Sequence, residues 1–142
     1  MPTRHAQAFW EGDLKTGHGM MKLGSGAFEG KYSFGTRFEG APGTNPEELI
    51  GAAHAGCFSM ALSAALGRNN FKPTRIATSA DVSLEKVGEG FKITKILLKT
   101  DATIPGIDEA KFKEIADGAK KNCPVSQALA GTTIELDAKL SR

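Results

Sequence analysis

An α+β fold, with largely antiparallel sheets around one long central helix, is predicted by three observations. The stretch Thr44–Gly67 is almost wholly apolar or small after its first turn and carries helix-start signals. Glycine-punctuated segments of alternating polarity lie on both sides of it. The resulting order is strands, helix, hairpin, helix, strand, which lacks the strict strand–helix alternation of a parallel α/β fold.

The central helix is the best-marked element. Asn45 is a capping residue, Pro46 suits the first turn, and Glu48 follows Asn45 at capping-box spacing. Glu47 and Glu48 sit at the positive end of the helix dipole. Beyond Glu48 no charged residue occurs before Arg68, and Leu49, Ile50, Ala53, Cys57, Met60, Ala61, Leu62 and Leu66 cover much of the circumference. Such a helix is expected to be buried on all sides. Its polar start and its glycines argue against a membrane span.

Residues 5–11 alternate as a strand, Gly12-Asp13 turns the chain, and the glycine-rich region 14–34 predicts short strands in a meander. Thr36–Thr44 is expected to be a loop. After Pro73, Ile76, Thr78, Ala80, Val82 and Leu84 share one parity, so a half-buried strand follows. Gly88-Glu89-Gly90 predicts a hairpin turn. Apolar parity switches between Ile93 and Ile96, which predicts a β-bulge near Lys95. Asp108 caps a second helix over 109–121, with Phe112, Ile115, Ala116 and Ala119 as its apolar stripe. A turn at Asn122-Cys123-Pro124 leads to a short helix, and Ile134, Leu136, Ala138 and Leu140 mark the last strand.

The chain of 142 residues suits one domain over 1–142 with a real core. A net charge of +2 without a basic cluster argues against nucleic acid. The opening Met-Pro-Thr-Arg-His-Ala-Gln lacks the apolar core of a signal peptide, so a cytoplasmic protein is expected. Three histidines at 5, 18 and 54 offer no zinc-ligand spacing, and no metal is expected. The two cysteines, Cys57 and Cys123, are in a reducing compartment either inert or redox-active.

A thiol reacts as its anion. Cys123 precedes Pro124 at a helix start, which favours ionisation. Cys57 lies deep inside the long helix, where the dipole has faded, so its reactivity requires a cation from elsewhere. His54, one turn earlier, and Arg37, in the preceding loop, are the candidates. Each of these residues also has a plain structural reading: Cys57 and His54 as core, Glu47 and Glu48 as caps, Cys123-Pro124 as helix entry, Arg37 as surface. On spacing alone the residues describe a soluble α+β domain with its function open.

The stretch Gly43-Thr-Asn-Pro-Glu-Glu-Leu-Ile-Gly-Ala-Ala-His-Ala-Gly-Cys-Phe-Ser-Met-Ala-Leu resembles the central helix of the OsmC/Ohr family of thiol peroxidases. Asn122-Cys-Pro-Val-Ser-Gln is similar to the family's second cysteine motif, and Thr36-Arg-Phe-Glu-Gly to the arginine loop of its OsmC branch. Gly56 stands where relatives often have alanine. The resemblance covers nearly the whole chain. It implies an intertwined homodimer of two sheets wrapped around paired central helices. It implies reduction of organic hydroperoxides, and of hydrogen peroxide more weakly, in an oxidative and osmotic stress response. Cys57 is then the peroxidatic thiolate, Cys123 the resolving thiol, Arg37 the group stabilising the thiolate and the peroxide, and Glu47 the anchor of Arg37. The implied reductant is a lipoyl-type dithiol, with no cofactor.

Glu47 and Cys57 are about 15 Å apart along one helix and roughly 80° apart around it. They do not share a site on one straight helix. If both serve one arginine, Glu47 comes from one chain and Cys57 from the other, giving two composite sites related by a two-fold axis. Phe38, Phe58 and Met60 are candidate walls for an alkyl group. Two rivals remain: a Cys57–His54 acyl-transfer enzyme, and a dimeric stress-response binding protein using an apolar groove between subunits.

Overall fold

A computed structural model describes residues 1–142. The chain divides into two compact units, Met1–Leu49 and Ile50–Arg142.

The first unit is built on the predicted meander. Strands β1 (Ala6–Glu11), β2 (His18–Leu23) and β3 (Glu29–Tyr32) pair antiparallel in chain order. The β1–β2 turn is closed by Asp13, whose carboxylate accepts from the Thr16 N–H at 2.7 Å and the Thr16 hydroxyl at 2.6 Å. Gly19 is buried in β2. A Cβ there would run into the Phe9 carbonyl and the Tyr32 and Trp10 rings, so only glycine lets those two rings approach.

Overlapping the start of the expected loop Thr36–Thr44, Phe34–Phe38 forms a short helix, α1. Its cause is local. The Ser33 hydroxyl accepts from the Thr36 N–H at 3.3 Å, and the Thr36 hydroxyl accepts from the Ser33 N–H at 2.9 Å. This reciprocal cap uses threonine in the place usually taken by Glu or Gln, so the usual sequence signature is missing.

The long helix α2 spans Pro46–Arg68, close to the predicted bounds. Asn45 caps it, accepting from the Glu48 N–H at 2.7 Å. The return half of the expected capping box is absent, because the Glu48 carboxylate accepts instead from the Thr44 hydroxyl at 2.9 Å.

The second unit contains most of α2 with β4 (Arg75–Val87), β5 (Gly90–Thr103), α3 (Glu109–Asn122), α4 (Pro124–Ala128) and β6 (Thr133–Ser141). Gly88, at φ 62°, takes the left-handed conformation that the tight β4–β5 turn requires. The bulge falls where expected: Ser83 faces Lys95 and Leu84 faces Ile93, leaving Thr94 as the extra residue. β6 differs from the antiparallel expectation. It pairs parallel to β5, because α3 and α4 form the crossover that a parallel pair needs and carry the chain back to the start of the sheet.

Phe58, Leu62 and Leu66 of α2, Ile96 and Leu98 of β5, and Phe112 and Ala116 of α3 form the core of this unit and are fully buried. α2 is not buried on all sides. Gly51, His54, Phe58, Leu62 and Leu66 form its buried face, while Ala52, Ala53, Gly56, Met60, Ser63 and Ala64 are exposed. Met60 stands 77% exposed. The sequence pattern showed an apolar circumference, but one chain supplies a core for only one side of it.

Replacing Phe112 by alanine removes the largest side chain of the α3 stripe and is expected to cost about 3–5 kcal/mol. Chemical denaturation measures it; a loss under about 1 kcal/mol would contradict the core assignment.

Candidate active site

The two thiols, far apart in sequence, meet in the second unit. The Cys123 and Cys57 sulfurs lie 2.9 Å apart and share a hydrogen bond, both cysteines being free. Cys57 is carried on α2, half-buried beside the fully buried Phe58. Cys123 is held at the junction of α3 and α4, where it ends one helix and begins the other. Its N–H donates to the Ala119 carbonyl at 2.9 Å, and its carbonyl accepts from the Gln127 N–H at 3.0 Å. Pro124 forces the break between the helices and opens α4. The Cys123 side chain is 0% exposed.

The two sulfurs ionise differently. Burial pushes the Cys57 thiol above its ordinary range, the hydrogen bond shared with Cys123 adds to this, and the Val125 N–H opposes it. No cationic side chain is among the groups that set its ionisation. Burial also opposes ionisation of Cys123, but the hydrogen bond shared with Cys57, the Ser126 N–H and hydroxyl, and the Val125 N–H together outweigh it and bring that thiol down. Cys123 makes no side-chain capping bond to α4, so these groups act on its sulfur as looser, dipolar contacts.

His54 does not supply the missing cation. It is 0% exposed, and its Nε2 lies 2.7 Å from the Ser126 hydroxyl. Its Nδ1 is buried with no hydrogen-bond partner. Burial lowers its pKa from the ordinary 6.5, so the ring is neutral. The helical spacing placed His54 near Cys57, but its ring bonds the α4 serine. A Cys57–His54 nucleophile–base pair therefore lacks its defining hydrogen bond.

The other predicted pair meets in the first unit. Arg37, in α1, makes a two-pronged ion pair with Glu47 of the α2 first turn: Nε to Oε1 and Nη2 to Oε2, each at 2.9 Å. The Glu47 side chain is only 9% exposed and the Arg37 side chain 36% exposed. Two local bonds fix this geometry. The α1 cap sets the turn bearing Arg37, and the Asn45 side-chain N–H donates to the Thr36 carbonyl at 3.1 Å, tying α1 to the start of α2. The parallel fork fixes the guanidinium plane as a single bond would not.

Beside Arg37 is a cavity of about 190 Å³ lined by Trp10, Leu14, Tyr32, Phe34 and Phe38. The guanidinium carbon lies 5.4 Å from the Phe38 ring centre, and the Phe34 and Phe38 rings are 4.9 Å apart. Of the three predicted wall residues, Phe38 lines this cavity. Phe58 is instead part of the second unit's core, and Met60 is exposed. Trp10, Tyr32 and Phe34 were missed because they sit on strands and a short helix that the glycine-rich pattern marks only as turns and strands. Ser126 was missed too, although its place one turn after Cys123 was readable.

The family model described as OsmC-like protein matches residues 38–137. The chain belongs to the OsmC-like family. It is 56% identical over 138 residues to Peroxiredoxin OsmC of Escherichia coli (strain K12), covering 96% of each chain. It is 32% identical over 103 residues to the organic hydroperoxide resistance protein OhrB of Bacillus subtilis (strain 168), covering 72% of this chain and 71% of that one. The crystal structure of that OhrB superposes with a TM-score of 0.69 at 26% identity, over 96% of this chain and 98% of the other. The mixed fold with a long helix and two small sheets is thus that of OsmC and Ohr proteins.

A buried neutral His54 has a consequence for acid stability. In the unfolded chain the ring protonates below about pH 6.5; in the folded chain it resists. The unfolded state then binds more protons, so stability falls as pH is lowered through that window. Between about pH 7.5 and about pH 5.5, wild type is expected to lose more unfolding free energy than His54→Gln. Equal losses in both would contradict a neutral buried ring.

Proposed function

We propose that this chain is a thiol peroxidase that reduces organic hydroperoxides through a Cys57–Cys123 disulfide cycle. Its family and its likeness to Peroxiredoxin OsmC support the peroxidase activity. The single observation that carries the cycle is the 2.9 Å contact between the two sulfurs. A disulfide needs an S–S distance of about 2.05 Å, so less than about 1 Å of movement closes the bond.

The Cys57 thiolate attacks the distal oxygen of the hydroperoxide. An S–O bond forms, the O–O bond breaks, and the departing alkoxide takes a proton and leaves as alcohol. Cys123 then attacks the sulfenic sulfur. The S–S bond forms, the S–O bond breaks, and hydroxide leaves and is protonated to water. A lipoyl-type dithiol returns both thiols by two-step exchange. The cycle is assigned to the cytoplasm, where such dithiols are kept reduced.

Cys57 ionises poorly without a cation, since burial and its thiol neighbour both hold its proton on. Arg37 is the group assigned to lower that barrier and to stabilise charge on the departing oxygen. Glu47 holds the guanidinium in its plane. The aromatic cavity beside Arg37 is assigned to the alkyl group of the substrate. The chain is read as a homodimer with composite sites, Arg37 and Glu47 coming from one protomer and Cys57 and Cys123 from its partner. The exposed apolar side of α2, with Ala53, Gly56 and Met60, supports a helix-to-helix interface.

Turnover of cumene hydroperoxide with dihydrolipoamide tests the reading. Cys57→Ser is expected to have no activity, and Cys123→Ser to complete no sustained cycle with the dithiol. Arg37→Gln is expected to lose about 100-fold or more in kcat/KM. Full activity in Cys57→Ser would overturn the cycle in favour of the binding-protein reading.

A further inference from the structure

One buried pair has no place in the cycle described above. His54 is completely buried on α2, yet a leucine would fill that position in an apolar core without leaving an unpaired nitrogen. Its one hydrogen bond reaches across to α4, 2.7 Å from the Ser126 hydroxyl. Ser126 is itself 5% exposed and is the third residue of α4, the position whose side chain lies on the same side as the helix's N-cap residue, Cys123. Two contacts thus flank the start of α4, the 2.7 Å His54–Ser126 bond on one side and the 2.9 Å sulfur contact on the other, with Ser126 and Cys123 one turn apart between them.

We propose that His54 and Ser126 are positioning residues for the resolving step: the His54 Nε2–H donates to the Ser126 oxygen, which turns the serine proton toward the Cys123 sulfur and holds it as the attacking thiolate. The inference rests on the disulfide cycle proposed above and adds to it a device for the second half-reaction. The tautomer follows from the inventory of donors. A serine has a single proton. If that proton faces sulfur, the oxygen must accept, and the imidazole must donate from Nε2. The buried Nδ1 is then a bare lone pair, in keeping with its lack of a partner. Protonating it would place a charge in the core, so the pair works as a neutral chain of donors.

The proton balance is consistent with this chain. Cys123 starts as a thiol in contact with Cys57. As the Cys57 sulfur takes oxygen from the hydroperoxide, the departing alkoxide accepts the Cys123 proton. The Cys123 anion left behind is stabilised by the Ser126 hydroxyl and by the Ser126 and Val125 N–H groups. It attacks the Cys57 sulfenic sulfur, and the hydroxide released takes its proton from solvent. The pair neither gains nor loses a proton over the cycle. It lowers the energy of one ionised sulfur at the moment that sulfur must attack.

Single-turnover experiments with one equivalent of cumene hydroperoxide test the assignment. Two rates are followed: loss of hydroperoxide, and disulfide formation by intact mass, with sulfenic acid trapped by dimedone. In wild type the ratio of the second rate to the first sets the reference. In Ser126→Ala that ratio is expected to fall about tenfold, as for one lost hydrogen bond to an anion, and the sulfenic acid accumulates. Ser126→Thr, which keeps the hydroxyl, is expected to restore the ratio. His54→Leu is expected to behave like Ser126→Ala, and His54→Gln, which keeps an N–H donor, like wild type. An unchanged ratio in Ser126→Ala overturns the assignment, as does an equal fall of both rates. If His54→Leu does not fold, the serine variants alone decide. If wild type itself forms no disulfide, the cycle has failed and not this inference alone.

Discussion

The contact between the Cys57 and Cys123 sulfurs is the constraint that the second unit satisfies. One thiol sits deep in a long helix and the other at a break between two helices, and they must approach to 2.9 Å. The break is fixed by Pro124 and by bonds from Cys123 to both α3 and α4. α3 is fixed in turn by its buried face of Phe112, Ile115, Ala116 and Ala119. α2 is fixed by Phe58, Leu62 and Leu66, which belong to the same core cluster as those α3 residues. The parallel placement of β6 follows from the same crossover, since α3 and α4 occupy the connection between β5 and β6. Moving any of these elements by an ångström changes the sulfur distance. The packing of the core therefore acts directly on the chemistry, because packed interiors do not deform smoothly.

The electrostatics divide the work between the two units. In the second unit, burial and the shared hydrogen bond keep Cys57 protonated, while dipoles around α4 favour an anion on Cys123. That arrangement suits the resolving role proposed for Cys123 and leaves Cys57, in its proposed peroxidatic role, in need of a positive charge. The first unit holds a positive charge in a fixed orientation, Arg37 clamped by the nearly buried Glu47 and flanked by Phe38. A guanidinium cannot lose its proton near neutral pH, so such a group activates a thiol without titrating itself. The proposed composite site brings these complementary halves together across a dimer.

Much of this was legible in the sequence, for identifiable reasons. Strong local signals located the elements: the Asn45 cap and Pro46 for α2, the Asp108 cap for α3, and the parity switch that marks the bulge at Thr94. The motifs around Cys57, Cys123 and Arg37 pointed to the family, and the structure pairs Cys57 with Cys123 and Arg37 with Glu47. What was not legible depended on long-range placement. α1 escaped because its capping box uses Thr36. The direction of β6 escaped because alternation reports which face a strand buries and not which way it runs. His54 was misread as a potential cation because helical spacing puts it near Cys57. Its burial and its bond to Ser126 are tertiary facts.

The central claim is that Cys57 and Cys123 form one redox pair, Cys57 reacting first. Intact mass after one equivalent of cumene hydroperoxide tests it most directly, with wild type and Cys123→Ser compared side by side. The account predicts a loss of about 2 Da in wild type, for a disulfide, and a gain of about 16 Da in Cys123→Ser, for a sulfenic acid on Cys57. No mass change in either protein would mean that two thiols 2.9 Å apart are structural, and would contradict the account.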